Sequence, residues 1–361
     1  GIPIITKPLF LVHRSIMTKE LKFKKIAVIN NIASVGSGII AVIMAFAGAG
    51  VWALIAQGVI QSIIEWPLYM KTSPWSPKKL WNKVAFKDMF GFGAFTTLSG
   101  LVYKFSSQGD YLLVGKILGK IDLGLYSFAF ILTDSIRVQV RHIVDAVMYP
   151  VYSKTQDNQE KQVHFLHKSV LFNSLAITPI MGVLFVSTEL VTYIFGEKWI
   201  GSLLVVKIIA VSVVIQIVTN SFSTIMRANN KSYLEFKLQA LKVFVFYLPL
   251  IFIGTYYYGL IGCSIAVVVA RFIINLINLW ALHSYLKIAS MGILKSFAKG
   301  ILPTFLAVIM TLLLFYAFST HSLWFSLLKT IILLIITLLA TWLINKNDLM
   351  NLIKLTKKRK K

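Results

Sequence analysis

Runs of about 20 apolar residues, each long enough to cross the hydrocarbon core of a bilayer as a helix, recur along this chain and leave few folds open to it. They lie at Ile26–Ala47, Val51–Met70, Phe86–Ser107, Ile121–Tyr149, Lys168–Thr188, Leu203–Ile225, Phe236–Thr255, Gly259–Leu282, Phe297–Phe318 and Trp324–Ile344. Lipid offers no partner to an open sheet edge, so such segments form helices. Composition agrees: 57% of residues are hydrophobic and 14% charged, with a mean hydropathy of +0.77, where a soluble domain is about 45–50% apolar and 25% charged. The expected fold is an all-α polytopic membrane protein. Before the first full span, GIPIITKPLFLVHRS reads as the end of a further apolar helix and therefore as a truncated start. It lacks the ordered basic, apolar and small-residue regions of a signal peptide.

A formal net charge of +24 could suggest nucleic acid, but the distribution of the basic residues decides otherwise. Twenty-seven of them fall in residues 7–25, 71–87, 154–168, 227–237, 287–299 and 346–361, on one side of the alternating spans, while the opposite loops hold only Lys104, Lys116, Lys120 and Lys198. The positive-inside rule makes the rich side cytoplasmic, including the basic C-terminal tail. No nucleic-acid partner is needed. Two prolines, Pro74 and Pro77, exclude a helix interior from the basic linker KTSPWSPKKLWNK. The single cysteine, Cys263, allows no internal disulfide and reads as a small buried residue.

Within the spans, polar residues stand out. Asp134, Arg137, Arg141 and Asp145, three or four residues apart, share one helix face. Gln57, Gln61 and Glu65 form a second stripe; Gln216 and Asn220 lie in another span, followed by Arg227, and Gln239, Lys242, Arg271, Asn275 and Asn278 in two more. Charges at membrane depth are costly and mark functional sites. The amides serve either as glue between helices or as substrate contacts. Asp134 and Asp145 are expected to neutralise Arg137 and Arg141 on their own helix, leaving Lys242 and Arg271 without an evident partner, although Lys242 could instead reach the cytoplasmic interface. Asp110 reads as a cap, a loop residue or part of a gate.

The segments LVHRSIMTKELKFKKIAVIN, GAGVWALIAQG, SPWSPK, FGFGAFTTLSGLVYKFSSQGDYLLVGKILGKIDLGLYSFAF, MYPVYSKTQDN and FGEKW occur in an order that resembles the Wzx-type oligosaccharide flippases of the MOP exporter superfamily, which also holds the lipid II flippase and multidrug exporters. The resemblance implies a MATE-like bundle of two six-helix lobes, with two extra C-terminal helices and about fourteen helices in all, of which ten full ones are present here. On that pattern residues 1–71 complete the first lobe, 72–86 link the lobes, 87–286 form the second lobe, and 287–361 supply the extra helices and tail. Gly48 and Gly50 before one span, and Gly259 and Gly262 before another, faintly echo the repeat. The implied function is translocation of polyprenyl-diphosphate-linked oligosaccharide across the bacterial cytoplasmic membrane by alternating access. Membrane lipid, a polysaccharide polymerase and glycosyltransferases are the implied partners. In the lipid II flippase the two extra helices build an apolar groove for the prenyl tail; ordinary lipid-facing helices fit these residues equally.

The expected diphosphate contacts are Arg137, Arg141 and Arg271, with Lys242, Asp134, Asp145, Gln57, Gln61, Glu65, Gln216, Asn220 and Asn275 as further cavity candidates, because arginine grips phosphate bidentately in a poorly screened site. The alternative of similar fold is an ion-coupled multidrug or small-molecule antiporter. A membrane polymerase would call for a large outer loop, and the outer loops here are short. No P-loop, H-E-x-x-H, G-x-S-x-G or cysteine cluster occurs, so neither an enzyme nor a cofactor is expected. His164 and His167 lack a third ligand in the pattern and read as part of a solvated segment.

Overall fold

The computed structural model describes residues 2–20, 22–72, 108–316 and 322–358, with isolated positions between 75 and 105. Among these residues every regular element is a helix. Seven helices are long and apolar enough to cross a membrane, and the protein is a multi-pass membrane protein. The expected span Phe86–Ser107 and most of the Pro74 and Pro77 linker lie outside the described residues.

The chain forms two compact units, Gly1–Phe90 and Gly91–Lys361. In the first, α1 (Ile2–Lys19) and α2 (Phe23–Phe46) both pack against α3 (Val51–Thr72). The turn from α2 to α3 needs φ of +85° at Gly48 and +51° at Gly50, a region that L side chains rarely enter. Phe10 stacks on Tyr69 with ring centroids 5.3 Å apart, and the Tyr69 hydroxyl donates to Asn30 Oδ1 (2.8 Å).

The second unit opens with helical residues 108–117 (α4). It continues through α5 (Lys120–Lys154), α6 (Gln159–Val186), a short α7 (Leu190–Phe195) and α8 (Leu203–Gln216). Beyond them come α9 (Phe222–Ala228), α10 (Ser232–Leu241), α11 (Leu248–Leu286), α12 (Ser290–Leu314) and α13 (Leu323–Lys358). Asn158 starts α6 by accepting the Lys161 N–H at its side chain (2.9 Å). One core gathers Tyr126 and Phe130 of α5, Ile177 of α6, Val206 and Ile209 of α8, and Ile251 and Val267 of α11. A second, toward the other end, joins Tyr152, Leu166, Met226, Leu282 and Ile293. Small residues let α12 lie close on α6: Thr178 and Thr304 share a 2.9 Å hydrogen bond, and a Cβ on Gly300 would stand 2.4 Å from that of Ser174. The outer faces of α12 and α13 carry exposed Leu306, Leu313, Leu338 and Leu343, as lipid contact allows.

Several helices depart from the simple spans the apolar runs suggest. The expected Leu203–Ile225 span is broken: residues Ile217–Thr219 tighten into a 3-10 turn before α9 begins. Thr219, Asn220 and Ser221 there turn their side chains to polar side chains of other helices, Asn275, Asn173 and Ser169. Lys242–Tyr247 form a π-helical stretch between α10 and α11. Within α11, Gly259 has φ +61° and ψ −146°, and the chain doubles back on itself: a Cβ on Gly262 would lie 2.3 Å from the carbonyl oxygen of Gly254, eight residues away. A straight helix would separate those residues by about 12 Å. The two spans read at Phe236–Thr255 and Gly259–Leu282 are thus the arms of a tight hairpin. Helix α5 runs past its expected end at Tyr149, through Pro150 to Lys154, and α6 starts nine residues before Lys168, at Gln159.

The hairpin generates a test. Gly262→Leu drives a side chain into the opposing arm and is expected to cost about 2–3 kcal/mol, read as a lowered melting temperature of the detergent-solubilised protein. Gly124→Ala, in α5 with open space around its Cβ, is expected to leave that temperature unchanged or slightly raised.

Candidate functional site

The charged stripe of α5 forms one continuous helical face, and its first carboxylate reaches beyond its own helix. Asp134 Oδ1 accepts from Arg137 Nε (2.9 Å) and from Arg271 Nη2 of α11 (2.8 Å), while Asp134 Oδ2 accepts from Arg137 Nη2 (3.0 Å). Two guanidiniums therefore share one carboxylate, and a second buried carboxylate, Asp110, lies within electrostatic reach of Arg271. The expectation that Asp134 serves Arg137 alone, and that Arg271 lacks a partner, is corrected: α11 brings Arg271 to Asp134 from 137 residues away. Arg271 also lies over the ring of Phe130 (5.6 Å), and its Nη1 is buried without a hydrogen-bond partner.

A chain of amides steadies Arg137 from behind. Its Nη1 donates to Asn220 Oδ1 (3.0 Å), Asn220 Nδ2 donates to Asn173 Oδ1 (3.2 Å), and Asn173 Nδ2 donates to the Ser169 carbonyl of α6 (2.9 Å). Asn173 was not among the sequence candidates; the one signal for it is a lone amide in an apolar span. The break after α8 carries Asn220 to this position. The other pair on the stripe is looser, with Arg141 Nε 3.8 Å from Asp145 Oδ2, both residues partly open.

Lys242 and Asn275 belong to a separate polar ladder. Lys242 Nζ donates to Asn278 Oδ1 (2.7 Å) and sits 4.6 Å above the Phe222 ring. Asn278 Nδ2 donates to Thr219 Oγ1 (2.9 Å), which in turn bonds to Asn275. Asn275 Nδ2 then donates to the Ile215 carbonyl (2.7 Å). In an uninterrupted helix that carbonyl would accept the N–H four residues on, so Asn275 supplies a bond at the break. The option that Lys242 reaches the cytoplasmic interface is corrected, since the residue is 2% exposed. Gln216 is half-buried at the end of α8.

Asp110 is buried inside α4 and joins three elements. Its Oδ2 accepts the hydroxyls of Tyr126 (2.9 Å) and Tyr247 (3.0 Å), and its Oδ1 the Tyr111 N–H (3.0 Å). Gln57, Gln61 and Glu65 lie in the first unit, on α3, where Gln61 Nε2 donates to Glu65 Oε1 (2.9 Å). His167 packs against Gly292 of α12 and His164 is exposed; among the described residues no group of three His, Cys, Asp or Glu could hold a metal.

Residues 1–204, more than half of the chain, match the model of a family described as "Polysaccharide biosynthesis protein". The chain belongs to this polysaccharide biosynthesis family. Its relatives include the teichuronic acid biosynthesis protein TuaB of Bacillus subtilis (strain 168), 27% identical over 65% of this chain and 50% of that protein. Another is the lipopolysaccharide biosynthesis protein WzxC of Escherichia coli (strain K12), 24% identical over 73% of this chain and 54% of that one. The chain spans about half the length of these curated relatives. Among solved structures, the lipid II flippase MurJ in an inward closed conformation superposes with a TM-score of 0.74 at 17% identity, covering 96% of this chain and 73% of that one, so the chain has the helical fold of that flippase. The family match takes in the α5 stripe, while Arg271, Lys242 and Asn275 lie beyond it.

The Lys242 ladder can be tested on its own. Asn278→Leu leaves a buried ammonium without its acceptor and is expected to destabilise the protein by about 2–3 kcal/mol. Adding Lys242→Met is expected to restore most of that loss, and a melting-temperature double-mutant cycle reads both values.

Proposed function

We propose that the protein is a flippase that carries polyprenyl-diphosphate-linked oligosaccharide across the bacterial cytoplasmic membrane by alternating access, for O-antigen, capsule or exopolysaccharide assembly. The observation that carries this reading is the pair of guanidiniums, Arg137 and Arg271, that meet at Asp134 inside an apolar bundle. A buried, poorly screened guanidinium pair suits a diphosphate, which each arginine can grip through two oxygens. Family membership and relatives named for teichuronic acid and lipopolysaccharide biosynthesis support the same reading.

In this account residues 1–71 complete a first lobe, 72–86 cross between lobes on the cytoplasmic side, and 87–286 form the second lobe. The stripe of α5 faces the sugar and diphosphate, and the prenyl tail stays in lipid along the apolar faces of α12 and α13. The C-terminal tail lies in the cytoplasm, where its lysines face anionic lipid at about 1 kcal/mol each. A polymerase and glycosyltransferases act before and after transport. The protein acts as a transporter, not as an enzyme. Arginines paired at the site suit anionic cargo better than the cationic cargo of a multidrug antiporter.

Arg137→Gln and Arg271→Gln in the full-length protein are each expected to slow flipping of a fluorescent polyprenyl-diphosphate oligosaccharide in proteoliposomes by about 10- to 100-fold, the rate equivalent of one lost charge-assisted bond. Unchanged rates would remove the arginines from the substrate path. Efflux of an amphipathic cation by the unsubstituted protein would point to the antiporter instead.

A further inference from the structure

Asp134 occupies the place that an anionic substrate would need. Both of its oxygens are engaged by guanidinium N–H groups, Oδ1 by two of them at 2.8 and 2.9 Å and Oδ2 by one at 3.0 Å. That is the arrangement in which arginine also takes phosphate. All three side chains are largely buried, with Asp134 17% exposed, Arg137 11% and Arg271 7%. The arginines are not saturated: Arg271 Nη1 is buried with no hydrogen-bond partner.

Resting on the diphosphate reading above, we propose that Asp134 is a built-in competitor for the substrate: it holds Arg271 while the site is empty, and an arriving diphosphate displaces it from Arg271. A diphosphate carries more charge than a carboxylate and has oxygens to spare for the orphaned Nη1. Asp134 keeps its bonds to Arg137 on its own helix, three residues along, so the contact that changes is the one between helices. Helices α5 and α11 both pack on α8, and the Asp134–Arg271 bond ties the first to the third across that packing. Substrate binding thereby removes the ionic tie between α5 and α11, leaves their apolar packing in place, and couples occupancy to a shift of one helix against the other. Asp134 is a positioning residue that sets when Arg271 is available, rather than a substrate ligand.

The two ideas give opposite signs in one experiment. Binding of a short-chain polyprenyl diphosphate to the full-length protein in detergent is measured by calorimetry, and flipping of the lipid-linked oligosaccharide in proteoliposomes. Asp134→Asn keeps the shape and removes the competing charge. It is expected to bind the diphosphate about tenfold more tightly or better while flipping more slowly, because binding no longer triggers release. Affinity unchanged or weakened in Asp134→Asn, with the unsubstituted protein binding normally, would overturn the displacement and leave the diphosphate site standing. No diphosphate binding by the unsubstituted protein would overturn the site and the displacement together. Should Asp134→Asn not fold, nitroxide labels replacing exposed Ile131 on α5 and Phe272 on α11, with Cys263→Ala, report the same step in protein that retains Asp134. The diphosphate is expected to shift or broaden their distance by about 2 Å, and an unchanged distance at saturation would overturn the displacement.

Discussion

A carboxylate shared by two guanidiniums, deep in a bundle that is otherwise apolar, governs what the rest of the second unit must do. Burying Arg271 at 6% exposure would be prohibitive without Asp134, since an unpaired buried charge costs about 3–5 kcal/mol. Asp134 in turn is held by Arg137 on its own helix, and Arg137 is held by Asn220, itself bonded to Asn173. The network thus needs α5, α6, α11 and the break after α8 in register, to within a hydrogen-bond length. The core that gathers Phe130, Ile177, Val206, Val213 and Val267 supplies that register through packing.

The irregular segments are the other half of the same arrangement. A helix that breaks at membrane depth exposes backbone groups that lipid will not satisfy. Here the break at Ile217–Thr219 meets the amide of Asn275, and the ladder continues through Thr219 and Asn278 to Lys242, at the start of the π-helical stretch. Breaking the helix is what brings Asn220 alongside Arg137. The polar residues of α11 therefore divide by role: Arg271 joins the charged network, Asn275 bonds the backbone at Ile215, and Asn278 links Thr219 to Lys242.

Local signals carried much of the fold. Apolar runs located most of the described helices, the three- and four-residue spacing put Asp134, Arg137, Arg141 and Asp145 on one face, and Gly48 and Gly50 marked a turn because their positive φ suits glycine. What stayed illegible depends on partners distant in the chain. Nothing near Arg271 announces Asp134, 137 residues earlier, and Lys242 resembled a residue able to reach the interface until Asn278 and Phe222 enclosed it. The break after α8 was hidden because Leu203–Ile225 is mostly apolar, with Lys207, Gln216 and Asn220 among its few larger polar residues, and periodicity does not separate a kinked span from a straight one. Asp110 was ambiguous for the same reason: two of its three partners, Tyr126 and Tyr247, come from other elements.

The claim on which this account turns is that Asp134 binds across helices to Arg271 as well as along its own helix to Arg137. A double-mutant cycle on the full-length protein, combining Asp134→Asn with Arg271→Gln and read from thermal unfolding in detergent, measures that bond directly. A coupling energy of about 1.5–3 kcal/mol is the value expected for a hydrogen bond between charged groups. Additive effects, with a coupling below about 0.5 kcal/mol, would contradict it.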